Sequence, residues 1–355
     1  MPPPVDAPRI LFLANWPLRD AGQGGAYAFF SQWERRPRLS LMGTFALGAW
    51  TRFERFRLRF YLLAPLVAWF RSFAYDVVVA YSSQVGLPLA MMFRLTGRRT
   101  PLVVFDVETL GRPAGNRLAL VHFAARRFDR LVYASRRQLD FYREHLGDLA
   151  DRARYIPIGI GAYPKRRPLG EPGTGPILAS GHHGKAFRDW ATLLRAYAPI
   201  ASRTPLLVAG REGLGEDDRD GVPIPPEVRF VPFMPADKYQ DLVEDARFVV
   251  IPLPDRQHSL GQLSVLFCMA MGKSVIATRM MGVEDYVEDG ETGLLVPPGD
   301  ADALRAAMER LLGDTELATR MGVRGFERVR DIFNDRRMGR AWEEMMDDLF
   351  KDRGR

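Results

Sequence analysis

Short apolar runs alternate with amphipathic segments of helix length along most of the chain. In its first half, continuous apolar runs predict buried strands at 9–14, 75–80, 101–105 and 130–134. Continuous runs, in contrast to alternating ones, are typical of strands that are covered on both faces. A helical stretch at 116–128 lies between two of them. This alternation of strands and helices predicts a parallel sheet in an α/β domain.

The alternation pauses at 155–176, where prolines, glycines and charged residues follow one another without a period. Such a composition is typical of an interdomain linker. Beyond this stretch the alternation resumes. The predicted strands of the second half are 176–180, 206–209, 228–231, 248–251, 274–277 and 293–296. The predicted helices are 189–200, 238–245, 260–271 and 301–312, followed by a helical tail at 341–351.

The two runs of alternation predict two domains. We expect an α/β fold of two tandem Rossmann-like, doubly wound parallel-sheet domains that face a central cleft. The first domain is expected to span 1–165 and the second 166–335. The remaining residues, 336–355, are expected to form a helix that packs back toward the first domain.

Positive charge is concentrated in the first half of the chain. Residues 1–170 contain 26 lysines and arginines against 12 aspartates and glutamates, a net charge of +14, whereas the remainder carries −7. A positively charged domain is expected to bind an anionic partner, such as a membrane surface, a phosphate-bearing substrate or nucleic acid. Arginines dispersed over a solvated surface are the simpler explanation.

Cysteine content and the N-terminal sequence indicate the cellular compartment of the protein. Cys268 is the only cysteine in the sequence, so no disulfide forms within the chain, and a reducing compartment is expected. Residues 1–10 lack the basic start and the apolar core of a signal peptide. We therefore expect a cytoplasmic protein.

One segment, residues 50–73, interrupts the α/β pattern with aromatic and leucine residues interleaved with arginines. Its uncharged part, 60–70, has 11 residues. A membrane-spanning helix needs about 20. A basic, aromatic-rich amphipathic segment of this kind can lie in the membrane interface. The alternative is an ordinary helix pair whose apolar side packs on the sheet.

Candidate chemistry in the first domain follows two of its strands. Asp106 and Glu108 come directly after the run at 101–105, and carboxylates at a strand end are candidates for a general base. Helix capping or a salt bridge explains them equally well. After the first strand, Gly25 closes a glycine-rich loop whose backbone N–H groups can approach an anion. A plain turn is the alternative there.

In the second domain, glycines and fixed cations follow the strands. Gly181, Lys185 and Arg188 come after the run at 176–180, and this combination before a helix suits a diphosphate. The adjacent histidines at 182–183 have no further ligand at metal-binding spacing, so zinc is not expected. Arg211 follows the next strand. The start of the predicted helix at 260–271 has backbone N–H groups without an acceptor in the helix. The candidate residues there are Ser259, Gly261 and Gln262.

The stretch from Gly272 to Asp300, with "GKSVIAT" and "DGETGLLVPPGD", resembles the C-terminal domain of GT-B glycosyltransferases, most closely the retaining family 4. The resemblance covers about 176–312 and is most specific at 259–300. It implies that the second domain holds a nucleotide sugar. The base would rest near Phe233 and Pro252, and the diphosphate would meet Lys185 or Arg188 and the helix start at Gly261–Gln262.

The sequence also departs from that family. Its retaining members carry two glutamates eight positions apart, and the matching positions here are Ser259 and Phe267. Ribose contacts would then come from elsewhere, such as Glu284 or Asp285. An inverting enzyme with Asp106 as its base is the other interpretation, and the sequence leaves the two open.

The resemblance implies a hexosyltransferase-like glycosyltransferase of polysaccharide, exopolysaccharide or glycoconjugate assembly. Its co-substrate would be a nucleotide-diphosphate sugar, with no cofactor and no metal. Its acceptor would be a hydroxyl of a saccharide. The basic first half and residues 50–73 favour a polyprenyl-diphosphate-linked acceptor at the inner face of the membrane. Nucleic acid is not an expected partner, because no reader motif accompanies the charge. The alternative is an inactive GT-B subunit that binds without turnover.

Overall fold

A computed structural model of the protein describes residues 7–16, 28–45, 47, 49–54, 58, 60–107, 109–110, 116–181, 187–255 and 259–354. The chain divides into two compact units. Unit 1 comprises Met1–Pro157 together with Asp335–Arg355, and unit 2 comprises Ile158–Asn334.

Unit 1 contains a parallel sheet whose six described strands lie in the order β2-β1-β3-β4-β5-β6. The strands are β1 (Arg9–Ala14), β2 (Arg38–Met42), β3 (Val77–Tyr81), β4 (Leu102–Asp106), β5 (Arg130–Tyr133) and β6 (Ala153–Tyr155). The helices of this unit are α1 (Ala49–Phe53), α2 (Leu63–Arg71), α3 (Ser83–Leu95), α4 (Asn116–Ala125), α5 (Arg137–Leu146) and, at the end of the chain, α12 (Asp335–Asp352). Strand–helix alternation places the helices against the sheet, as the sequence predicts.

Burial explains which strands of unit 1 the sequence reveals. All five residues of β4 are buried, as are four of the five in β3. The outer strands β2 and β6 are partly exposed and less apolar, so neither was predicted. In β2, Arg38 is exposed and Ser40 is half-buried, which breaks the apolar run on which the prediction depends.

Unit 2 contains a second parallel sheet, whose six described strands lie in the order β12-β11-β10-β7-β8-β9. The strands are β7 (Ile177–Ser180), β8 (Leu206–Ala209), β9 (Val228–Val231), β10 (Val249–Ile251), β11 (Val275–Thr278) and β12 (Gly293–Val296). The helices are α6 (Trp190–Tyr197), α7 (Glu216–Arg219), α8 (Ala236–Asp245), α9 (Gln262–Ala270), α10 (Ala301–Gly313) and α11 (Thr315–Asp331). Both units therefore have the predicted doubly wound α/β architecture.

The first unit ends near the start of the predicted linker, and most of that stretch belongs to unit 2. The sequence places the boundary at 165/166, whereas the structure places it after Pro157. The difference arises because residues 158–176 pack on unit 2. The Ile158 N–H donates to Tyr286 Oη at 3.0 Å, and the Ile160 N–H donates to the Phe333 carbonyl at 3.0 Å.

Farther along the same stretch, two arginines pair with the carboxylates of α8. Arg166 Nε lies 2.7 Å from Asp241, and Arg167 Nη2 lies 3.1 Å from Asp245. Close backbone approach adds to this attachment, because a Cβ on Gly173 would lie 1.8 Å from the Ala246 carbonyl oxygen. Proline and glycine here allow close packing, so the stretch is a part of unit 2.

Helix α12 belongs to unit 1, although it is the last element of the chain. Its Trp342 is fully buried, and its ring stacks on Phe29 with the centroids 5.0 Å apart. The same indole meets the Phe105 ring edge to face at 5.8 Å. Two large aromatic contacts thus fix this helix on the sheet of unit 1.

The segment at 50–73 contains two helices, α1 and α2, with a short 3₁₀ helix at Ser72–Ala74. Tyr61, Ala64 and Ala68 are buried in the core of unit 1, so part of the segment packs on the domain. Of its arginines, those at 55, 57 and 59 lie outside the described residues. Among the helices that the structure describes, none has both the length and the apolar character required to cross a bilayer.

Candidate functional site

The strand order of unit 2 places a topological switch point between β7 and β10. From β7 the chain proceeds outward to β8 and β9, then returns to β10 on the other side of β7. The loops after these two central strands diverge, which leaves a crevice at the carboxyl edge of the sheet. Ligands of open α/β sheets bind in such crevices. Gly181 and Arg188 follow β7, whereas Pro252, Ser259 and Gly261 follow β10.

Arg188 is buried and holds three groups of the site together. Its Nε donates to the Ser180 carbonyl at 2.7 Å, and Nη1 donates to its neighbour's carbonyl, that of Phe187, at 2.9 Å. Its Nη2 donates to Ser264 Oγ in α9 at 3.0 Å. Burial lowers the pKa of this guanidinium, but the side chain stays charged because the starting value is so high. Arg188 therefore brings a fixed positive charge to the switch point.

The loops after β7 and β10 are also joined directly. The Asp189 N–H donates to the Pro252 carbonyl at 3.0 Å. A Cβ on Gly181 would lie 2.5 Å from Arg188 Nε, so only glycine allows this packing. The structure thus brings Gly181, Arg188 and Pro252 together, as the sequence predicts for a single site.

The start of α9 is the more suitable of the two nearby helix N-termini for an anion. Gly261 is the N-cap of α9, with φ 87°, and it has no side chain that could cap the helix. At α6, in contrast, the Asp189 carboxylate accepts from the Thr192 N–H at 3.0 Å, which places negative charge there. Ser259 and Gln262 are both buried at the α9 start, and Gln262 Nε2 donates to Ser259 Oγ. The α9 N–H groups are therefore oriented toward an external acceptor.

An aromatic cluster, which the sequence analysis did not identify, lies beside this start. Phe267 of α9 stacks on Tyr239 of α8 with the centroids 5.3 Å apart, and Tyr163 meets its ring edge at 4.8 Å. Tyr239 donates its hydroxyl to Ser180 Oγ. Burial raises the Tyr239 pKa, so the hydroxyl remains protonated. Phe267 thus fills the position of the family's second glutamate with a ring that packs on its neighbours.

Three further predicted residues lie on neighbouring loops of unit 2. Phe233, which follows β9, is 79% exposed. Arg211, which follows β8, donates to the Gly213 carbonyl at 3.0 Å and pairs with Asp218. Asp218 is therefore engaged in an ion pair. Glu284 is half-buried.

In unit 1, Asp106 is fully buried at the end of β4. Its Oδ2 accepts from Tyr142 Oη at 2.7 Å and from the Leu110 N–H at 2.5 Å. Gln138 donates to the Asp106 carbonyl at 2.8 Å. Thr109 and Leu110 both have positive φ, 53° and 52°, a conformation that costs energy in residues with a side chain. Asp106 thus anchors a strained turn, and its role as a base stays a prediction.

The remaining predicted residues, Gly25, Glu108 and Lys185, lie outside the described residues. Within the described ranges, no three His, Cys, Asp or Glu side chains gather closely enough to hold a metal ion.

Comparison with known proteins finds a family match over the part of the chain that contains these loops. A family model described as glycosyl transferases group 1 matches residues 177–314, a range that includes β7, β10 and α9. Residues 177–314 are similar to the glycosyl transferases group 1 family. The matched range lies entirely in unit 2. It therefore includes the loops after β7 and β10 but not Asp106.

Group 1 relatives and solved structures extend the comparison. The lipopolysaccharide core biosynthesis glycosyltransferase LpsE of Rhizobium meliloti is 33% identical over 97 residues, covering 27% of this chain and 28% of that protein. Across the first three relatives, the aligned stretches span only 18–41% of the relatives' own lengths.

Two solved structures match nearly the whole chain. Sucrose-phosphate synthase from Thermosynechococcus elongatus aligns over 97% of this chain and 100% of its own, with a TM-score of 0.73 and 21% identity. Anabaena HepE in complex with UDP-glucose aligns over 96% and 100%, with a TM-score of 0.69 and 17% identity. The chain therefore has the two-domain α/β fold of GT-B glycosyltransferases.

Proposed function

We propose that the chain is a glycosyltransferase that moves a sugar from a nucleotide-diphosphate sugar to a hydroxyl of a saccharide acceptor. The observation that carries this proposal is the uncapped start of α9 beside the buried Arg188, at the switch point of the group 1 domain. Helix N–H groups and a fixed cation are the groups that stabilise a departing diphosphate.

This geometry supports a donor site in unit 2. We place the diphosphate against the first turn of α9, within reach of the charge on Arg188. The exposed ring of Phe233 offers a stacking surface for the nucleotide base. A structural neighbour, HepE, is crystallised with UDP-glucose, which supports a nucleotide-sugar donor for this chain.

Sugar transfer requires that the negative charge on the leaving group be stabilised. As the sugar–phosphate bond breaks, negative charge accumulates on the leaving diphosphate. Preoriented N–H dipoles of α9 stabilise that charge without solvent reorganisation. Arg188 contributes its charge and positions Ser264, and with it the first turn of α9. We propose no metal in this step.

We propose that the acceptor binds unit 1 and that it is a saccharide used in polysaccharide or glycoconjugate assembly. The relative LpsE belongs by name to lipopolysaccharide core biosynthesis, which supports a saccharide acceptor. The basic first half and the segment at 50–73 favour a polyprenyl-diphosphate-linked acceptor at the cytoplasmic face of a membrane.

Calorimetric titration with UDP, GDP and their glucose and mannose conjugates tests the donor assignment. We expect one nucleotide to saturate the wild-type chain, and we expect the Arg188→Gln variant to bind it at least about 10-fold more weakly. Arg195→Gln, an exposed arginine in α6, is the matched control and is expected to bind like the wild type. Absence of nucleotide binding by the wild type would overturn the proposal.

Turnover distinguishes the transferase from the second candidate, an inactive binding subunit. The departures at Ser259 and Phe267 are the observation that favours that candidate. Release of nucleoside diphosphate that depends on a saccharide acceptor supports the transferase. Equal rates with and without EDTA support metal independence. Saturable binding with no release over an acceptor panel supports the binding subunit.

A further inference from the structure

An exposed apolar surface of unit 1 is formed by the C-terminal parts of α2, α3 and α4. Helix α3 packs against both α2 and α4, so the three helices form one layer. Its exposed apolar residues, with the exposed fraction of each, are Phe70 (62%), Phe73 (63%), Leu95 (73%), Leu120 (59%) and Phe123 (40%). We refer to these five residues as the three-helix patch. A contiguous apolar surface of this kind marks an interaction site.

Side-chain contacts hold the three helix ends together. Trp69 Nε1 in α2 donates to Thr96 Oγ1 after α3 at 3.0 Å. The guanidinium of Arg98 lies 3.6 Å from the centroid of Phe73. The guanidinium of Arg94 lies 4.0 Å from the centroid of Phe123. These contacts bring the ends of α2, α3 and α4 side by side.

The charge on the three helices is positive, and the nearby Asp129 is paired with Arg127 and Arg353. The sequences of α2, α3 and α4 contain no aspartate or glutamate. Exposed arginines at the three helix ends are Arg71, Arg94, Arg99 and Arg126. Cations are favoured at helix C-termini. That preference explains the positions of the arginines but does not account for the exposed phenylalanines and leucines between them.

We propose that the three-helix patch binds the surface of an anionic bilayer. Exposed aromatic and leucine side chains enter the boundary between headgroups and acyl chains, while guanidinium groups meet lipid phosphates. A protein partner with an acidic face is the competing occupant, but exposed apolar side chains within an arginine border match a lipid surface better. The proposal extends the contact from the segment at 50–73 to α3 and α4, and it does not depend on transferase activity.

Vesicle flotation of the full chain, without substrate, tests the proposal. We expect the wild type to float with phosphatidylcholine vesicles that contain 30% phosphatidylglycerol, and flotation to fall at high salt. The double variant Leu95→Gln/Leu120→Gln should weaken vesicle binding by about 10-fold or more, since it removes two large apolar groups from the interface. The pair Arg99→Gln/Arg126→Gln should weaken binding to anionic vesicles by about 10-fold and leave the weak binding to neutral vesicles unchanged.

Matched controls come from unit 2. Ile332→Gln removes an exposed apolar side chain, and Arg195→Gln/Arg229→Gln removes two exposed charges, all outside the patch. These variants are expected to float like the wild type. Because all substituted side chains are exposed, near-ultraviolet circular dichroism should show a native fold for each variant.

Two results would overturn the proposal. One is wild-type flotation that the patch variants leave unchanged. The other is patch variants that alter the sedimentation coefficient of the free protein without altering flotation, which would assign the patch to self-association. Flotation and nucleotide release test the two proposals independently. A chain that floats normally but releases no nucleotide would support membrane binding by the patch and refute the transferase activity.

Discussion

At the scale of single residues, Asp106 is the residue whose environment is most informative. Its carboxylate is fully buried and accepts hydrogen bonds from Tyr142 and from the Leu110 N–H. Burial and the neighbouring Asp106 raise the pKa of Tyr142 well above its usual value, so Tyr142 is the proton donor of the pair. These contacts hold the strained turn at Thr109–Leu110, a role that needs no catalysis.

The substitutions Asp106→Asn and Tyr142→Phe separate anchoring from base catalysis. Tyr142→Phe removes the hydrogen bond of the pair, and Asp106→Asn replaces a charged acceptor with a weaker neutral one. Each is therefore expected to lower the free energy of unfolding, by about 1–3 kcal/mol for Asp106→Asn. A base role adds a loss of turnover of at least about 100-fold in Asp106→Asn alone. Urea denaturation and acceptor-dependent nucleotide release measure the two effects. Equal turnover in both variants would contradict the assignment of Asp106 as base.

Lys273, next to the glycine that ends α9, gives a pH-dependent prediction. Burial lowers its pKa to about 8. The unfolded chain has the ordinary value, about 10.4. Below pH 8 the folded state therefore contains a buried ammonium that the unfolded state solvates, and this costs stability. The cost decreases as the pH rises from 8 toward 10.4.

We accordingly expect Lys273→Met to be more stable than the wild type at pH 7, by about 1–3 kcal/mol. The advantage should be smaller at pH 10. Lys238→Met, on the exposed side of α8, is the control and should show no such change. Urea denaturation at both pH values measures the difference. An advantage that increases with pH would show that the Lys273 ammonium is stabilised, not penalised, by its surroundings.

The sequence predicted those site residues whose role depends on their neighbours along the chain, and it missed those whose role depends on distant contacts. Gly261 and Gln262 were placed at a helix start because glycine and polar residues precede a strongly apolar run. The direction of the Arg188 side chain was not predictable, since it depends on Ser180 and on Ser264, which is 76 residues away. Tyr142 and Gln138 were missed for the same reason, because nothing local in α5 indicates their contact with Asp106.

At the scale of elements, the first turn of α9 depends on two glycines. Gly261 has φ 87°, and a Cβ there would lie 2.7 Å from Leu253 Cδ1 and 3.2 Å from Val283 Cγ2. A Cβ on Gly282 would lie 2.5 Å from the Leu260 nitrogen. The helix start is therefore packed closely between the loops after β10 and β11.

Gly261→Ala tests this packing against Gly290→Ala. Both glycines have positive φ, 87° and 82°, but the position of a Cβ on Gly290 has no neighbour within 4 Å. Both variants should lose about 1–2 kcal/mol of stability from the left-handed conformation. Only Gly261→Ala should also displace the α9 N–H groups and weaken nucleotide binding, by about 10-fold. Titration with the nucleotide that binds the wild type measures this. Equal affinities for the two variants would argue against a ligand at the α9 start.

Several short strands were predicted from the sequence even where burial is incomplete, since β12 is fully buried but Arg229 of β9 is exposed. The strands β8, β9 and β12 have the predicted bounds, since turn residues flank each short apolar run. Helix α3 was missed because its N-terminal half, SQVGLP, contains a glycine and a proline. The three-helix patch was only partly visible, because Phe70, Leu95 and Phe123 lie on different elements and only the fold brings them together.

At the scale of the whole molecule, each unit has its own hydrophobic core, centred on its own sheet. Unit 1 is discontinuous in sequence, since α12 follows all of unit 2 along the chain. Its stability depends on an element that is synthesised last. Trp342 in α12 and Trp190 in α6 are the two tryptophans that are fully buried, one in each unit.

This pairing of tryptophans gives a test of whether the units unfold separately. Each substitution to alanine should cost about 3–5 kcal/mol in the unit that contains it. By hydrogen-exchange mass spectrometry, we expect Trp342→Ala to speed exchange in β1 and β4 and to leave β7 and β10 unchanged. Trp190→Ala should give the reverse pattern, because its indole packs only in the core of unit 2. Faster exchange in all four strands in both variants would mean that the two cores open as one cooperative unit.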